Sequence, residues 1–398
     1  MTETLTPAPA KIPTSSWTLL VLIVASGITT FMFLPLLTLE LVRRGLGVAS
    51  IGIVVGAMTG SGQIASVFLG SLVARFGSKS VALCGLVVRA AGLSTFLFRD
   101  DFASYLVGSI VAGIGSTSVS LGIKTELLAA AGSRKLISLR SAAVNAGALI
   151  GPAIGAILFQ VTGFNMIIAA SLISYLVMGA VIVFVRFESR GAGVRPSADP
   201  PVLEDRLFAS GKRRQIAVLL LLVASYWFAY SQWNLLMPLA AKQAFHTDQA
   251  SSWFYIANAA LILGLQYLLL VHLLGRLSSR RILVLGYGSL VAGFVVLMFG
   301  WAAPAVVAFV VLFTLGEALV SPTLDETASG LSLGHGGLGR LFGLIGSVSG
   351  AASFAGGAMT GGILSAVGTG PAASAAGLFA GLLGMVLALW GLRKKELS

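Results

Sequence analysis

Two ionisable side chains interrupt long apolar stretches of this sequence, and both could do chemistry there. Glu317 follows the apolar stretch 303–316, and Pro322 comes soon after it. A carboxyl group withdrawn from water can hold a proton near neutral pH and release it when water enters. Glu317 could therefore carry a proton, or it could be neutralised by a neighbouring arginine and serve only to fix the packing of helices.

Arg89 lies near the middle of the apolar run 80–98, so a basic group is withdrawn from water as well. A buried charge needs a partner, and the candidate acids are Glu317, Glu126 and Glu40. Three roles stay open for Arg89: binding an anionic solute, adjusting the protonation of a carboxylate, or forming a structural pair. We group Glu317, Arg89 and Glu126 as the candidates for proton coupling.

Aromatic and amide side chains recur at helical spacing in two further apolar runs. Tyr226 and Tyr230 are four residues apart, which places them on one face of a helix. A cavity lined by aromatic rings and a few amides suits apolar, planar or cationic compounds. Such rings could instead form an aromatic belt at a membrane surface. The candidate cavity residues are Tyr226, Tyr230, Trp233, Asn234, Tyr255, Asn258, Gln266 and Asn145.

No pattern in the sequence indicates an enzyme or a resident cofactor. The nucleotide-binding pattern G-x-x-x-x-G-K-[ST] does not occur, and His246, His272 and His335 are too scattered to predict a metal site. Cys84 is the only cysteine, so no disulfide can form within this sequence. A pump without a nucleotide site must draw on an ion gradient, and one proton crossing ~100 mV releases about 2.3 kcal/mol.

The elements that carry these residues are apolar runs of about 20 residues or more, the length that crosses a bilayer as a helix. The chain has 398 residues, of which 57% are hydrophobic and 10% charged, and its mean hydropathy is +0.95. A soluble protein would carry roughly 25% charged residues. We therefore predict an all-α membrane protein with twelve transmembrane helices. The runs are 17–39, 49–73, 80–98, 103–127, 138–161, 164–186, 214–240, 250–274, 281–300, 303–325, 338–366 and 370–392.

Basic residues are distributed unevenly between the two sides of the predicted membrane. With the amino terminus inside, all but five of the 26 Lys and Arg residues fall on the cytoplasmic side. This asymmetry orients membrane proteins, so the formal charge of +12 gives no reason to expect a nucleic-acid partner. We predict a multi-pass protein of a bacterial inner membrane with both termini cytoplasmic. The five exceptions are Arg43, Arg44, Arg89, Arg99 and Lys242.

The chain divides into two related halves. Fragment 70–85, GSLVARFGSKSVALCG, lies over 271–286, VHLLGRLSSRRILVLG, and 151–158 lies over 357–364 at a similar offset, which indicates a duplicated unit. Secondary transporters are built in this way, with the substrate site between the halves near the midplane. We predict a cytoplasmic tail at 1–16, a six-helix bundle at 17–186, a polar linker at 187–213, a second six-helix bundle at 214–392 and a cytoplasmic tail at 393–398.

Two motifs make this chain similar to a known family. The loop after the second run follows the pattern G-x-L-x-D-R-x-G-R-R, with Ala74 in place of the acid and Ser78 in place of a basic residue. The fifth run follows G-x-x-x-G-P-x-x-G-G, with Ala156 in place of the last glycine. With the 6+6 arrangement, these motifs resemble the major facilitator superfamily over essentially the whole chain. The matching residues are Gly70, Leu72, Arg75, Gly77 and Lys79 in the loop, and Gly147, Gly151, Pro152 and Gly155 in the fifth run.

The resemblance implies two pseudo-symmetric six-helix bundles and, through the motif of the fifth run, a proton-coupled exporter of the multidrug-efflux type. In this family the acid of the loop helps to latch one conformation, so Ala74 removes that latch or moves it to another acid. Pro152 kinks the fifth helix and its glycines leave a face without side chains. We expect this face to close against a helix of the other half and to open again, although the glycines could serve only close packing, as we expect for Gly52, Gly56 and Gly60.

We therefore expect a secondary active transporter that exports small amphipathic molecules or drugs in exchange for protons by alternating access. Its expected partners are a small-molecule substrate, protons and the lipid bilayer, and we expect it to act as a monomer without a cofactor or a metal ion. The alternatives are an importer or facilitator of a small metabolite, anionic if Arg89 binds it, and a lipid-flipping or sensor protein on the same fold.

Overall fold

The structure is a computed structural model that describes residues 14–129, 134–185, 187, 212–267, 277–331, 337–368 and 370–390. The described residues form twelve α-helices and one short 3₁₀-helix, Pro371–Ser374. The helices are α1 Thr14–Arg43, α2 Val48–Phe76, α3 Ser78–Phe98, α4 Phe102–Ala129, α5 Arg134–Thr162, α6 Phe164–Phe184, α7 Arg213–Phe245, α8 Gln249–Tyr267, α9 Ser279–Met298, α10 Ala303–Gly330, α11 Gly337–Val367 and α12 Ala375–Trp390.

Eleven of the helices in the described ranges are long and apolar enough to cross a membrane. The remaining one, α8, has 19 described residues, and the predicted run continues to residue 274, outside the described residues. The all-α membrane fold with twelve helices is thereby confirmed. The predicted linker 187–213 lies mostly outside the described residues, with six helices before it and six after it.

Single glycines separate two pairs of consecutive helices. Gly77 lies between α2 and α3 with a φ of 84°, and Gly163 lies between α5 and α6 with a φ of 81°. A side chain is strained at such an angle, whereas glycine adopts it freely. The chain can therefore leave one helix and enter the next within a single residue.

A proline inside α7 creates a buried contact with α1. Pro238 has no N–H to donate to the carbonyl oxygen of Asn234, four residues earlier. The Thr38 hydroxyl of α1 donates to that oxygen instead, at 2.7 Å. Because a backbone group cannot stay unpaired inside a membrane, the interruption in α7 fixes the position of α1 beside it.

The helices pack in two sets, and the most extensive contacts between the sets run along two pairs of helices. In the first six helices, α3 lies along α4 and α1 lies along α5, while in the last six, α9 lies along α10 and α12. Across the two sets, α2 lies along α11 and α5 lies along α8. This arrangement leaves a space between the sets at the centre of the molecule.

The α2–α11 seam is a contact of backbone against backbone. A Cβ added at Gly357 would lie 2.7 Å from the carbonyl oxygen of Gly52 and 3.0 Å from the Cα of Gly56. Distances this short leave no room for a side chain, so the seam is a small-residue contact of the kind that membrane helices use. The expectation that the α2 glycines serve close packing is confirmed. The seam consists of Gly52, Gly56 and Gly60 of α2 and Gly350, Gly357 and Gly361 of α11.

The glycine face of α5 has a different partner from the one we expected. A Cβ added at Gly147 would lie 2.7 Å from the Cα of Gly27, and one added at Gly151 would lie 2.8 Å from the carbonyl oxygen of Ile28. Gly155 also faces α1. The prediction that this face closes against the second half is therefore wrong. A pattern of small residues permits a close contact but does not identify the helix that makes it.

We call the end of the bundle where α1 ends and α2 begins the upper end. Asp248, between α7 and α8, pairs there with Arg43 of α1 and, at 3.0 Å, with Lys242 of α7. The Ser251 hydroxyl of α8 donates to the carbonyl oxygen of Pro35 in α1 at 2.7 Å. The Arg43–Asp248 pair and the Ser251–Pro35 hydrogen bond join the two sets of helices at the upper end. The pairs of Glu40 and Asp100 with Arg44 lie at this end as well.

Arg44 joins the upper ends of the first six helices to one another. It follows α1 directly and is only 13% exposed. Its guanidinium lies within hydrogen-bond distance of five acceptors on or beside α1, α3, α4 and α6, with Nη1 shared among three of them, so it ties four helices together. The acceptors are Glu40 at 2.8 Å, the carbonyl oxygen of Phe96 at 2.8 Å, Asp100 at 3.0 Å, Tyr105 at 2.9 Å and Asn165 at 2.6 Å.

Candidate functional site

A cavity of about 240 Å³ lies between the two sets of helices. Both sets contribute to its wall, and the wall mixes aromatic rings, apolar side chains, hydroxyls and one guanidinium. The lining residues are Thr30, Phe31, Phe33 and Leu34 of α1, Met58, Thr59 and Gln63 of α2, Arg89 of α3, Ala112, Gly113, Ser116 and Thr117 of α4, Trp227, Tyr230, Ser231 and Asn234 of α7, Tyr255 of α8 and Ser353 of α11.

Glu317 lies behind the second-half wall of this cavity and is held by neutral groups. The amide nitrogen of Asn258 donates to Glu317 Oε2 at 2.9 Å and to the Thr314 hydroxyl at 3.0 Å. The Tyr230 hydroxyl is the second polar neighbour of the carboxylate. No lysine or arginine in the described ranges forms an ion pair with it. One cavity-lining side chain, Tyr230, therefore stands between this acid and the cavity.

Aromatic rings form a continuous cluster around that acid. The Trp233 ring is 1% exposed and stacks on Phe313, with 5.0 Å between the ring centroids. Tyr230 lies 5.2 Å from Trp227 and 5.9 Å from Phe313. Tyr255 donates its hydroxyl to Asn234 Oδ1 at 2.5 Å. The cluster makes one wall of the cavity rigid, since each ring is fixed by at least one other ring or by a hydrogen bond.

The structure brings three of the predicted cavity residues to the wall. Tyr230, Asn234 and Tyr255 line the cavity. Tyr226, Trp233 and Asn258 are buried behind it, where Asn258 has become a partner of the acid. Asn145 of α5 is partly buried and is not among the described lining residues. The side chain of Gln266 lies outside the described residues.

The expectation that Arg89 pairs with one of three acids is wrong within the described residues. Its guanidinium donates to the hydroxyls of Ser26 at 3.2 Å and Thr30 at 2.5 Å, both on α1. The Tyr175 ring of α6 covers it, with 4.8 Å from Cζ to the ring centroid. Hydroxyl groups and a ring face can solvate a guanidinium in part, and spacing along the chain did not indicate that α1 would supply them.

Glu126, the third candidate for proton coupling, and the loop motif lie at the end of the bundle opposite the upper end. Glu126 is 2% exposed near the end of α4 and accepts a hydrogen bond from the Ser78 hydroxyl at 2.9 Å. Lys79 of the loop motif donates to the carbonyl oxygens of Val183 and Val185, at 2.8 and 3.0 Å, and so caps the end of α6. In the same motif, Gly70 and Arg75 are exposed and Gly77 forms the turn.

Most of the residues that line the cavity from the first six helices were not predicted from the sequence. Thr30 and Ser26 stand four residues apart inside the first apolar run, a spacing that places two hydroxyls on one face of α1. Trp227 directly follows the candidate Tyr226 and lies on the adjoining face of α7. Both signals were present, but hydroxyls and aromatic rings are common in membrane helices and do not by themselves indicate a cavity.

Known proteins resemble this chain in sequence over most of its length. A family model described as Major Facilitator Superfamily matches residues 19–357. Multidrug resistance protein MdtH of Aeromonas hydrophila is 25% identical over 344 residues, which cover 81% of this chain and 83% of that protein. Multidrug resistance protein MdtH of Enterobacter sp. (strain 638) is 24% identical over 313 residues, which cover 76% and 75%.

Solved structures share the fold at lower identity. The nucleoside transporter NupG aligns with a TM-score of 0.72 at 14% identity, over 95% of this chain and 98% of its own. A POT family transporter in complex with 5-aminolevulinic acid aligns with a TM-score of 0.77 at 14% identity, over 95% of each chain. The human organic anion transporter MFSD10 (TETRAN) aligns with a TM-score of 0.68 at 19% identity, over 96% and 100%.

Proposed function

Because the chain belongs to the major facilitator superfamily, and is therefore a membrane transporter, we propose that it exports small amphipathic molecules in exchange for protons. Its relatives named as multidrug resistance proteins support export, whereas the nucleoside and POT family transporters share only the fold. Those relatives are bacterial, which supports an inner-membrane location. By the distribution of basic residues, both termini are cytoplasmic, and the upper end faces away from the cytoplasm.

The observation that carries the proposal is the Glu317 carboxyl group, held by Asn258 and Tyr230 and by no cation in the described ranges. An acid in an ion pair would lose that pair on protonation. Glu317 has only neutral partners, and they can stay hydrogen-bonded to either form. It can therefore take up and release a proton at low cost when water in the cavity reaches it past Tyr230.

The cavity supports a substrate with an apolar body. Trp227 and Tyr230 offer ring faces, and Thr59 and Thr117 offer hydroxyls. A volume of about 240 Å³ is somewhat below the range of roughly 300–1,000 Å³ typical of sites for drug-sized ligands. This size suits a small molecule and a cavity that widens as the halves move.

The two sets of helices would move against each other to expose the cavity on alternate sides. We propose that residues 17–186 and 214–392 rock as units within a monomer, in the manner of alternating-access transporters. The two halves are held together at the upper end by the Arg43–Asp248 pair and by the α2–α11 seam. Breaking and reforming these contacts would open and close the side that faces away from the cytoplasm.

The proposal is tested with everted membrane vesicles that are energised to an acid interior and carry a pH-sensitive dye. Lipophilic cations, antibiotics and anionic metabolites are added to vesicles with wild-type protein, with Glu317→Gln and with the matched control Glu326→Gln, whose side chain is exposed on the same helix. We expect at least one compound to release protons from wild type and from Glu326→Gln, but not from Glu317→Gln.

Two results would contradict this proposal. Proton release that survives Glu317→Gln would place coupling at another acid. If no compound releases protons while intact cells expressing the protein accumulate a panel compound, the protein is an importer or a facilitator.

A further inference from the structure

Arg89 is a buried cation whose partners are all neutral. Its side chain is 1% exposed, and its described hydrogen bonds go to the hydroxyls of Ser26 and Thr30. The Nε atom is buried and has no hydrogen-bond partner in the described part of the chain. No acid in the described ranges forms an ion pair with Arg89. The hydrogen-bonding capacity of this guanidinium is therefore only partly used.

A cation in this position is costly unless something compensates it. Removing a guanidinium from water is expensive, and a carboxylate partner normally repays part of that cost. Ser26, Thr30 and the Tyr175 ring bring dipoles and a quadrupole but no negative charge. The missing negative charge is the feature that requires an explanation.

The position of Arg89 indicates where that charge would come from. Arg89 borders the central cavity, and Ser116 and Thr117 of α4 and Gln63 of α2 also line its first-half wall. These side chains add hydroxyl and amide donors on the first-half side. The opposite wall carries Trp227 and Tyr230 and has no cation among its described lining residues. The cavity thus has its cation on the first-half side and its tryptophan and tyrosine rings on the second-half side.

We propose that Arg89 binds an acidic group of the transported substrate, so that the substrates are amphipathic organic acids with the acid on Arg89 and the apolar body on Trp227 and Tyr230. This inference rests on the proposed transport function and narrows it. A guanidinium pairs with a carboxylate through two parallel hydrogen bonds, and it does so more strongly where water is excluded. Ser26 and Thr30 then act as positioning residues, because they hold the guanidinium at the cavity wall.

The test compares two ligands that differ only in charge, 1-naphthaleneacetic acid and its neutral amide, 1-naphthaleneacetamide. Binding to the purified full-length protein in lipid nanodiscs is followed by tryptophan fluorescence, since Trp227 lines the cavity. We expect wild type to bind the acid about tenfold or more tightly than the amide. Arg89→Gln should remove this preference, and Arg89→Lys should retain part of it. Arg99→Gln, at the exposed end of the same helix, should bind as wild type does.

Several outcomes would overturn the inference. Equal binding of acid and amide by wild type would do so without any variant, which matters if Arg89→Gln fails to fold. A preference for the acid that survives Arg89→Gln would place the anion site elsewhere. The substrate and an inorganic ion are two possible sources of the negative charge, and replacing gluconate by chloride as the buffer anion distinguishes them. If chloride abolishes the preference for the acid at concentrations near those of a cell, Arg89 binds an inorganic ion and not the substrate.

The binding test can contradict the role of Arg89 without contradicting proton exchange, and the proton-release test can do the reverse. Glu317→Gln should keep the preference for the acid, since Glu317 lies behind the opposite wall and does not line the cavity. A protein that prefers the acid but releases no protons would contradict the exchange mechanism alone. A protein that releases protons equally with neutral and acidic compounds, and shows no preference in binding, would contradict the role of Arg89 alone.

Discussion

The α2–α11 seam allows the sharpest quantitative prediction. Gly357→Ala adds one methyl group, which would lie 2.7 Å from the carbonyl oxygen of Gly52 and 3.0 Å from the Cα of Gly56. Both neighbours are backbone atoms of a helix, so neither can rotate away as the end of a side chain could. The two helices must separate by several tenths of an ångström, or the closed seam must become less populated.

The free-energy change caused by Gly357→Ala depends on whether the closed seam is compared with the separated seam or with the unfolded protein. Overpacking a close contact costs roughly 1–3 kcal/mol, while alanine stabilises a helix relative to glycine by about 1 kcal/mol. The helical gain is the same whether the seam is closed or separated, so it cancels from that comparison. The ratio of separated to closed molecules should therefore rise about 5- to 150-fold. The free energy of unfolding, where the gain does not cancel, should fall by only about 0–2 kcal/mol.

The separation can be followed by electron–electron distance measurements between two spin labels at the upper end. Exposed positions 47 and 366 would carry the labels, after Cys84→Ser removes the exposed native thiol. The matched control is Gly362→Ala, since a Cβ there meets nothing within 4 Å. We expect a longer-distance population in Gly357→Ala and none in Gly362→Ala. Identical distance distributions in the two variants would refute the reasoning from the seam.

Three further perturbations have expected outcomes. Asp248→Asn should raise the separated population of the same label pair several-fold, since partly exposed ion pairs contribute up to about 1 kcal/mol each, and high salt should reduce the difference from wild type. Arg44→Gln should lower the free energy of unfolding by about 2–4 kcal/mol, measured by thermal denaturation, because it removes a partly buried charge with five hydrogen-bond acceptors. Asp101 precedes α4, and hydrogen bonds from the Ser104 hydroxyl and backbone N–H lower the pKa of its carboxyl group. Its contribution to stability is therefore present above the usual pKa of 3.8 and is lost as pH falls below it, so Asp101→Asn should differ from wild type in melting temperature near pH 5 and approach it near pH 3.

Each of these predictions has a control within the chain. Arg43→Gln removes an exposed cation next to Arg44 and should cost less stability, and an equal loss in both variants would contradict the role given to Arg44. A salt-independent effect of Asp248→Asn would mean that packing, and not charge, holds the upper end. A constant difference in melting temperature between Asp101→Asn and wild type across the pH range would exclude the titration of Asp101 as the cause.

The twelve-helix fold could be predicted because bilayer thickness sets the length of an apolar run. Residue 163, for example, separates two predicted runs and is the one-residue connection between α5 and α6. The helix bounds were less predictable at charged ends. The tenth run was predicted to end at residue 325, yet α10 continues to Gly330, because a helix extends beyond the apolar region wherever its polar end groups can reach water.

The candidate site was predictable in its residue types but not in its pairings. Tyr255 and Asn258 were predicted to line the cavity, and both lie at the site, although Asn258 contacts Glu317 and not the cavity. Arg89 was expected to meet an acid, because an isolated sequence indicates charge balance but not which hydroxyls another helix supplies. The glycines of α5 and α2 look alike in sequence, and only three-dimensional packing assigns the former to α1 and the latter to α11.

The backbone contact of the α2–α11 seam also restricts how this protein can diverge. Any substitution at a seam glycine adds atoms where the main chain of the partner helix already lies, whichever amino acid is chosen. A substitution at a seam glycine of one helix therefore requires a compensating change in the other helix, because the new side chain needs space that the facing backbone occupies. Among homologues with larger residues in α2, we expect α11 to have changed at the facing positions too, so that the two helices are inherited as a matched pair.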